Sequence, residues 1–460
     1  MKKTGLWAFG LLLAVAGASA SCGDGESVAP DNNGTPTLAL VGGATGSDTI
    51  GTVLVQGLIV EVKGAGGTPL SGIAVRFDAL HATDSTGTFP TTFIAPRLST
   101  NFQTFLGDTT DAKGRVVAVV RLAFRTGAGG VVVSIPEFGL TDTAKYTVHP
   151  GRVRHVQVAP ADTLISVGRP LALTARVLDA AHNLRTDPVT FVLLGGPCTL
   201  PSPGTVVGTN AGTCRITARA QTAVDTAFVG IIPAWDVIGA TGSEVVKLNL
   251  ATGERRVVGH TTSREAYPSA TRQGFIAYRG GNHMVVIKPD GSRVDPLVKG
   301  IVPSWSGWGR LTRNNVAVYF AGDGYIYRAT VDGAGLDVVF GGTTPDTSPD
   351  GSLAVYNNEG IIHIGNVTNK TFVGTGVAGT LPRWSPTGDR IAYLSGSMVW
   401  VMQGDGSDRK VVSRYLSDNT GLDWSEDGQW VVAGPHLIKA DGTDQLTLKN
   451  MGLSQVSVIR

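Results

Sequence analysis

PRWSPTGDRIAYLSG, residues 382–396, joins a Trp, a Ser-Pro-x-Gly turn and an alternating apolar strand in one short phrase. The chain says nearly the same thing again at residues 422–434, as LDWSEDGQWVVAG. Scanning outward finds worn copies: PAWD ending at Asp236, PSAT at Thr271, PSWS at Ser306 and PDTS at Ser348. With Ser385 and Ser425 these make six copies, spaced by about 35 to 42 residues, the period expected of one small four-stranded sheet in a radial repeat.

Each copy leads into a strand: GFIAYR, NVAVYF, SLAVYN, RIAYLS or QWVVAG. Second strands such as HMVVIKPDG, YIYRATVDG and VWVMQGDG run into Asp-Gly, a pair that accepts positive φ in a tight turn. A small twisted sheet cannot bury both faces alone, so the pattern predicts six sheets stacked in a ring. Seven of the eight Trp fall in this part of the chain, which suits large side chains packed between sheets. The last stretch, LSQVSVIR, exceeds what the sixth copy needs and predicts a strand that pairs into the first sheet. An unclosed ring would leave an exposed edge.

The whole chain agrees with an all-β fold. It has 460 residues, too many for one ordinary core, with 62 Gly and 23 Pro. Only 16% of residues are charged and the net charge is +2, so nothing favours nucleic acid as a partner. WSPTGDRIAYLSGSMVWVMQGDGSDRKVV resembles the repeat of TolB-like, WD-related propellers, whose signature is W-S-P-D-G-x-x-I-A-Y followed by D-G. The resemblance implies a six-bladed propeller over residues 234–460.

Upstream, alternating strands and turns about every ten residues point to β-sandwiches. Ile73, Val75 and Phe77 share one strand face; Asp111 to Gly114 and Gly127 to Gly130 read as tight turns. PLSGIAVRF and TDAKGRVVAVV resemble the first group of bacterial Ig-like domains, over residues 37–149. VRHVQVAPADTLISVGRPLALTARVLDA with VTF resembles the second group, over residues 150–233. Both resemblances imply spacer or adhesive modules. The fold expected is therefore two Ig-like β-sandwich modules followed by the propeller.

Lys2, Lys3 and the apolar run GLWAFGLLLAVAGA form an export signal over residues 1–21. Ala18-Ser19-Ala20 is an A-x-A cleavage site, while SASC ending at Cys22 resembles a bacterial lipobox, with Ser19 where Leu is usual. Lipidation of Cys22 is the preferred reading, release of a free chain the other, and residues 22–36 form a flexible tether. Cys198 and Cys214, in an exported chain, predict a disulfide.

No nucleophile elbow, H-E-x-x-H, Walker or dinucleotide motif is present, and the four His of the propeller lack ligand-like spacing. Asp290, Asp405 and Asp441 read as turn residues rather than calcium ligands. No catalytic residue, metal or cofactor is expected. The candidate contact residues are Asp346, Arg383 and Asp423 near the ring's mouth, and Trp308, which breaks the repeat. Together these features point to a monomeric, lipid-anchored outer-membrane or cell-surface protein whose head binds an envelope protein or glycan. A soluble periplasmic or secreted form, an adhesin binding through its Ig-like modules, and a polysaccharide-active enzyme with its site in the channel are the alternatives.

Overall fold

A computed structural model describes residues 35–262, 266–298, 305–414, 416, 421–448 and 451–460, with residues 305–308 described by backbone alone. The leader, Cys22 and nearly all of the tether lie outside these residues. Among the described residues the chain is all-β, with one single-turn 3-10 segment at Ala65–Gly67. It divides into two compact units, one ending at Gly151 and the other spanning Arg152–Arg460.

The first unit packs a four-stranded against a five-stranded sheet. Val60 and Val62, Val116 and Val120, Val75 and Phe77, and Val131 and Val133 meet in one core, as strand alternation requires. Gly114 closes the turn from Asp111, its N–H donating to the Asp111 carbonyl at 2.9 Å with φ +69. The segment Gly127 to Gly130 is not a turn. It opens the strand Gly127–Ile135, paired with Leu140–His149. Its glycines serve close approach: a Cβ on Gly130 would meet the Ala144 carbonyl oxygen and a Leu80 methyl at 2.7 Å.

The second unit begins with three small sheets around the core of Val177, Val206, Ile216 and Val229. In that core a disulfide joins Cys198 to Cys214, with Cα atoms 6.2 Å apart, and so ties the strand Cys198–Ser202 to Gly212–Ala220 in a different sheet. This module is fastened to the rest of its unit by Asp444, whose carboxylate accepts the Thr213 N–H at 2.7 Å and the Thr213 hydroxyl at 2.8 Å.

Residues 236–458 form six four-stranded antiparallel sheets, the arrangement of a β-propeller. Five fold from consecutive strands, with innermost strands Ser269–Ala270, Trp305–Leu311, Thr343–Thr347, Thr380–Trp384 and Leu422–Trp424. The first sheet instead takes its innermost strand from the other end of the chain: Ser454–Val458 pairs with Asp236–Thr241, matching Val458 to Val237.

Turn hydrogen bonds set the register. After Trp384, the Ser385 N–H donates to the Arg390 carbonyl at 2.8 Å, and the Arg390 N–H returns to the Ser385 hydroxyl at 3.1 Å. Ser348 with Leu353, Ser425 with Trp430 and Thr312 with Ala317 repeat both bonds. The third marker is therefore Leu311-Thr312, not the PSWS ending at Ser306. Asn315 takes the left-handed position that Gly388 holds in the fifth sheet, at φ 59, which Asn tolerates. PAWD is likewise not a marker, because Asp236 opens the second strand of its sheet.

Two measurements follow. Replacing Cys198 and Cys214 by Ala releases a short loop and should lower unfolding free energy by about 3 kcal/mol, read from chemical denaturation. Asp350 has its carboxyl lowered to about 2 by the Ser348 and Ser352 hydroxyls and the Ser352 N–H. The unfolded carboxyl titrates near ~3.9, so its stabilisation is full above that pH and is lost as pH falls toward 2. Asp350→Asn should flatten the decline of the denaturation midpoint in that window, and an unchanged decline would assign the acid sensitivity to other carboxyls.

Candidate functional site

The residue just before each marker sits on the opposite strand face from the buried Trp, Leu or Thr, and so turns toward the axis of the ring. Read through the corrected register, these six positions are Ser269, Arg310, Asp346, Arg383, Asp423 and Ser457. All are buried, none more than 4% exposed. A seventh group arrives from the chain's last residues. Beyond Val458 the backbone runs along the second sheet, where the Arg460 N–H donates to the Ala270 carbonyl at 3.1 Å. That path delivers the Arg460 guanidinium to the same level.

There the charges meet. Arg460 grips Asp346 with two nitrogens, at 3.1 and 3.2 Å, and reaches Asp423 at 2.9 Å. Arg310 donates to Asp423 at 2.8 Å and to the Ser457 hydroxyl at 2.7 Å, and lies 3.5 Å from Asp346. The Ser457 hydroxyl in turn donates a hydrogen bond to Asp423 at 2.6 Å. Backbone donors complete the carboxylates: Trp384 N–H to Asp346, and Trp424 and Val458 N–H to Asp423, each at 3.0 Å.

Arg383 behaves differently. Its guanidinium donates to the carbonyls of Leu422 at 3.1 Å and Pro382 at 2.8 Å, and its own carbonyl accepts the Trp424 indole N–H at 2.9 Å. Burial and the neighbouring Arg310 charge push its pKa down to about 10, so it still carries its proton at neutral pH. Arg310 is also penalised by burial, but Asp423 and Asp346 outweigh that and hold its pKa above the usual arginine value.

The structure thus brings Asp346, Arg383 and Asp423 together, but inside the ring rather than on its rim. This corrects their reading as residues presented to a partner: Asp346 and Asp423 are spent on Arg310, Arg460 and backbone N–H groups, and Arg383 on backbone carbonyls. Trp308 falls on the strand Trp305–Leu311, and its side chain lies outside the described residues. Starting the third copy at PSWS sets it six residues early and so passes over Arg310. LTRNNVAVYF, set under WSPTGDRIAY, carries the signal that finds it. Arg460 lies outside any repeat and left no such signal.

Elsewhere the polar candidates are accounted for locally. Asp290, Asp405 and Asp441 each accept the N–H two residues on, at 2.8 to 2.9 Å, as turn geometry demands. His283 contacts Asp295 at 2.6 Å, and His363 stacks on Tyr356. Among the described residues no group of three His, Cys, Asp or Glu side chains could hold a metal ion.

Breaking a buried pair strands an unpaired charge, so Asp423→Ala should lower unfolding free energy by roughly 3–5 kcal/mol. Lys370→Ala removes an exposed pair with Asp337 at 2.9 Å and should cost about 1 kcal/mol or less. Urea denaturation of both variants makes the comparison, and equal losses would show that the axial network carries no special weight.

No family model matches the chain, and no curated protein matches it either. Among solved structures, TolB from Acinetobacter baumannii is similar at 13% identity, covering 67% of this chain and 99% of that one, with a TM-score of 0.40. A quinonprotein alcohol dehydrogenase-like protein from Bacteroides thetaiotaomicron is similar at 10% identity over 63% of this chain and 80% of its own, TM-score 0.30. The Escherichia coli adhesin FdeC is similar at 13% identity over 73% and 92%, TM-score 0.29. The fold assignment itself rests on the strand pairing of this chain.

Proposed function

We propose that the chain is an exported cell-envelope binding protein: two Ig-like modules at residues 37–149 and 150–233 act as a stalk, and a six-bladed TolB-like propeller at residues 234–460 is the head. In this reading Cys22 carries a lipid that anchors the tether, and the head meets a protein or glycan at the envelope. One observation carries the choice of binding over catalysis. The acidic residues at the ring's axis are committed to buried ion pairs and backbone donors, with Asp346 and Asp423 fully buried. Groups held that way stiffen a scaffold and are not poised to exchange protons with a substrate. Recognition then falls to the loop faces of the ring, with Trp308, on the innermost strand Trp305–Leu311, kept as a further contact residue in this reading. Among the described residues no helix is long and apolar enough to cross a membrane.

The test uses single photoreactive side chains in the full chain, one at exposed Thr387 on the turn face of the ring, one at exposed Phe105 in the first unit. Irradiation on intact envelopes should give a discrete adduct from position 387. Adducts from position 105 alone would transfer binding to the sandwich modules, and none from either would overturn the reading. Mass measurement of the mature N-terminus addresses the anchor: an unmodified chain beginning at Ser21 refutes lipidation.

A further inference from the structure

We propose that a cleft on the turn face, between the first, second and sixth sheets, binds a neutral sugar ring. The proposal rests on the reading above of the propeller as a binding head and names its ligand. The cleft has a volume of about 560 Å³ and is lined by Trp235, Asp236, Lys247, Thr271, Arg272 and Glu426. That volume suits a small ligand.

Thr271 carries the independent signal. Its side chain is only 4% exposed, yet its hydroxyl has no hydrogen-bond partner. At the four matching positions the hydroxyl of Thr312, Ser348, Ser385 or Ser425 accepts the N–H of the residue five further on. The second sheet's turn is one residue shorter, with the Thr271 N–H meeting the Phe275 carbonyl at 2.9 Å. No N–H falls to the hydroxyl. A buried hydroxyl without a partner is costly; the oxygen is closed off in the structure, and a turn of the side chain about its Cα–Cβ bond toward the cleft that Thr271 lines lets a ligand supply the partner.

The surrounding charges select what kind of ligand. Lys247 pairs with Asp236 at 2.8 Å, and Arg272 pairs with Glu426, linking the turns of the second and sixth sheets. Burial raises the Asp236 pKa, but Lys247 and Asn249 lower it more, so it stays ionised. An anionic ligand would have to displace a carboxylate from its cation, and a cationic one would have to displace Lys247 or Arg272. A neutral polyol does neither. Its hydroxyls donate to the carboxylates and accept from the cations while both pairs persist, and its C–H face covers the partly buried Trp235 indole.

Titration calorimetry of the full chain with cellotetraose, maltotetraose, mannotetraose and chitotetraose tests this. Saturable binding of at least one is expected, weakened roughly ten-fold or more, a loss above about 1.4 kcal/mol, by Trp235→Ala and by the near-isosteric Thr271→Val. Glu426→Gln, at an exposed side chain, supplies a variant that keeps the fold and should also weaken binding. Absence of binding by the wild-type chain, or binding untouched by all three substitutions, overturns the sugar cleft. The crosslink from position 387 separates the two readings: adducts without sugar binding reject the cleft alone, and loss of both rejects the head as well.

Discussion

The ion-pair network at the axis is the constraint on which the ring depends. Six sheets converge their innermost strands on a narrow centre, and each must place one side chain there. Apolar residues could fill that space, but this chain fills it with Arg310, Asp346, Arg383, Asp423 and Arg460. Desolvating five charges is expensive, and their mutual attraction offsets the cost only with good geometry. Here the geometry is good, because Arg460 spans both carboxylates and the backbone N–H groups of neighbouring sheets point at them. The network links sheets that hydrogen-bonded strands do not, so it fixes which sheet faces which around the ring.

Much of this is legible in the sequence. The Trp-Ser-turn phrase announces the sheets, and Asp346, Arg383 and Asp423 each stand just ahead of a marker pair. What is not legible is the register of the weakest copies. In the third, Leu311 and Thr312 replace Trp and Ser while two unrelated Trp stand nearby, at 305 and 308, and the eye follows the Trp. Whether an axial residue touches a partner or another axial residue is also invisible in one dimension, since it depends on ring diameter. Gly127 to Gly130 shows the same ambiguity on a smaller scale. Glycine serves a turn and a close strand crossing equally well, and only the neighbour, here Ala144, distinguishes them.

The joint between the three small sheets that open the second unit and its propeller sheets includes small, local contacts. Thr213 lies next to Cys214, and Asp444 sits in the turn between the sixth sheet's last two strands. The disulfide therefore stiffens the strand that meets the propeller. The module's contacts place it and the propeller sheets in one compact unit, Arg152–Arg460.

The closing strand also dictates an order of events. Ser457 and Arg460 complete the axial network, and both belong to the segment that pairs with Asp236–Thr241 more than two hundred residues upstream. Without that segment Asp346 and Asp423 lack Arg460, Asp423 lacks Ser457 and the Val458 N–H, and the first sheet has a bare inner edge. The ring closes only through its most distant contact in sequence, the pairing of Ser454–Val458 with Asp236–Thr241, a topology that slows folding.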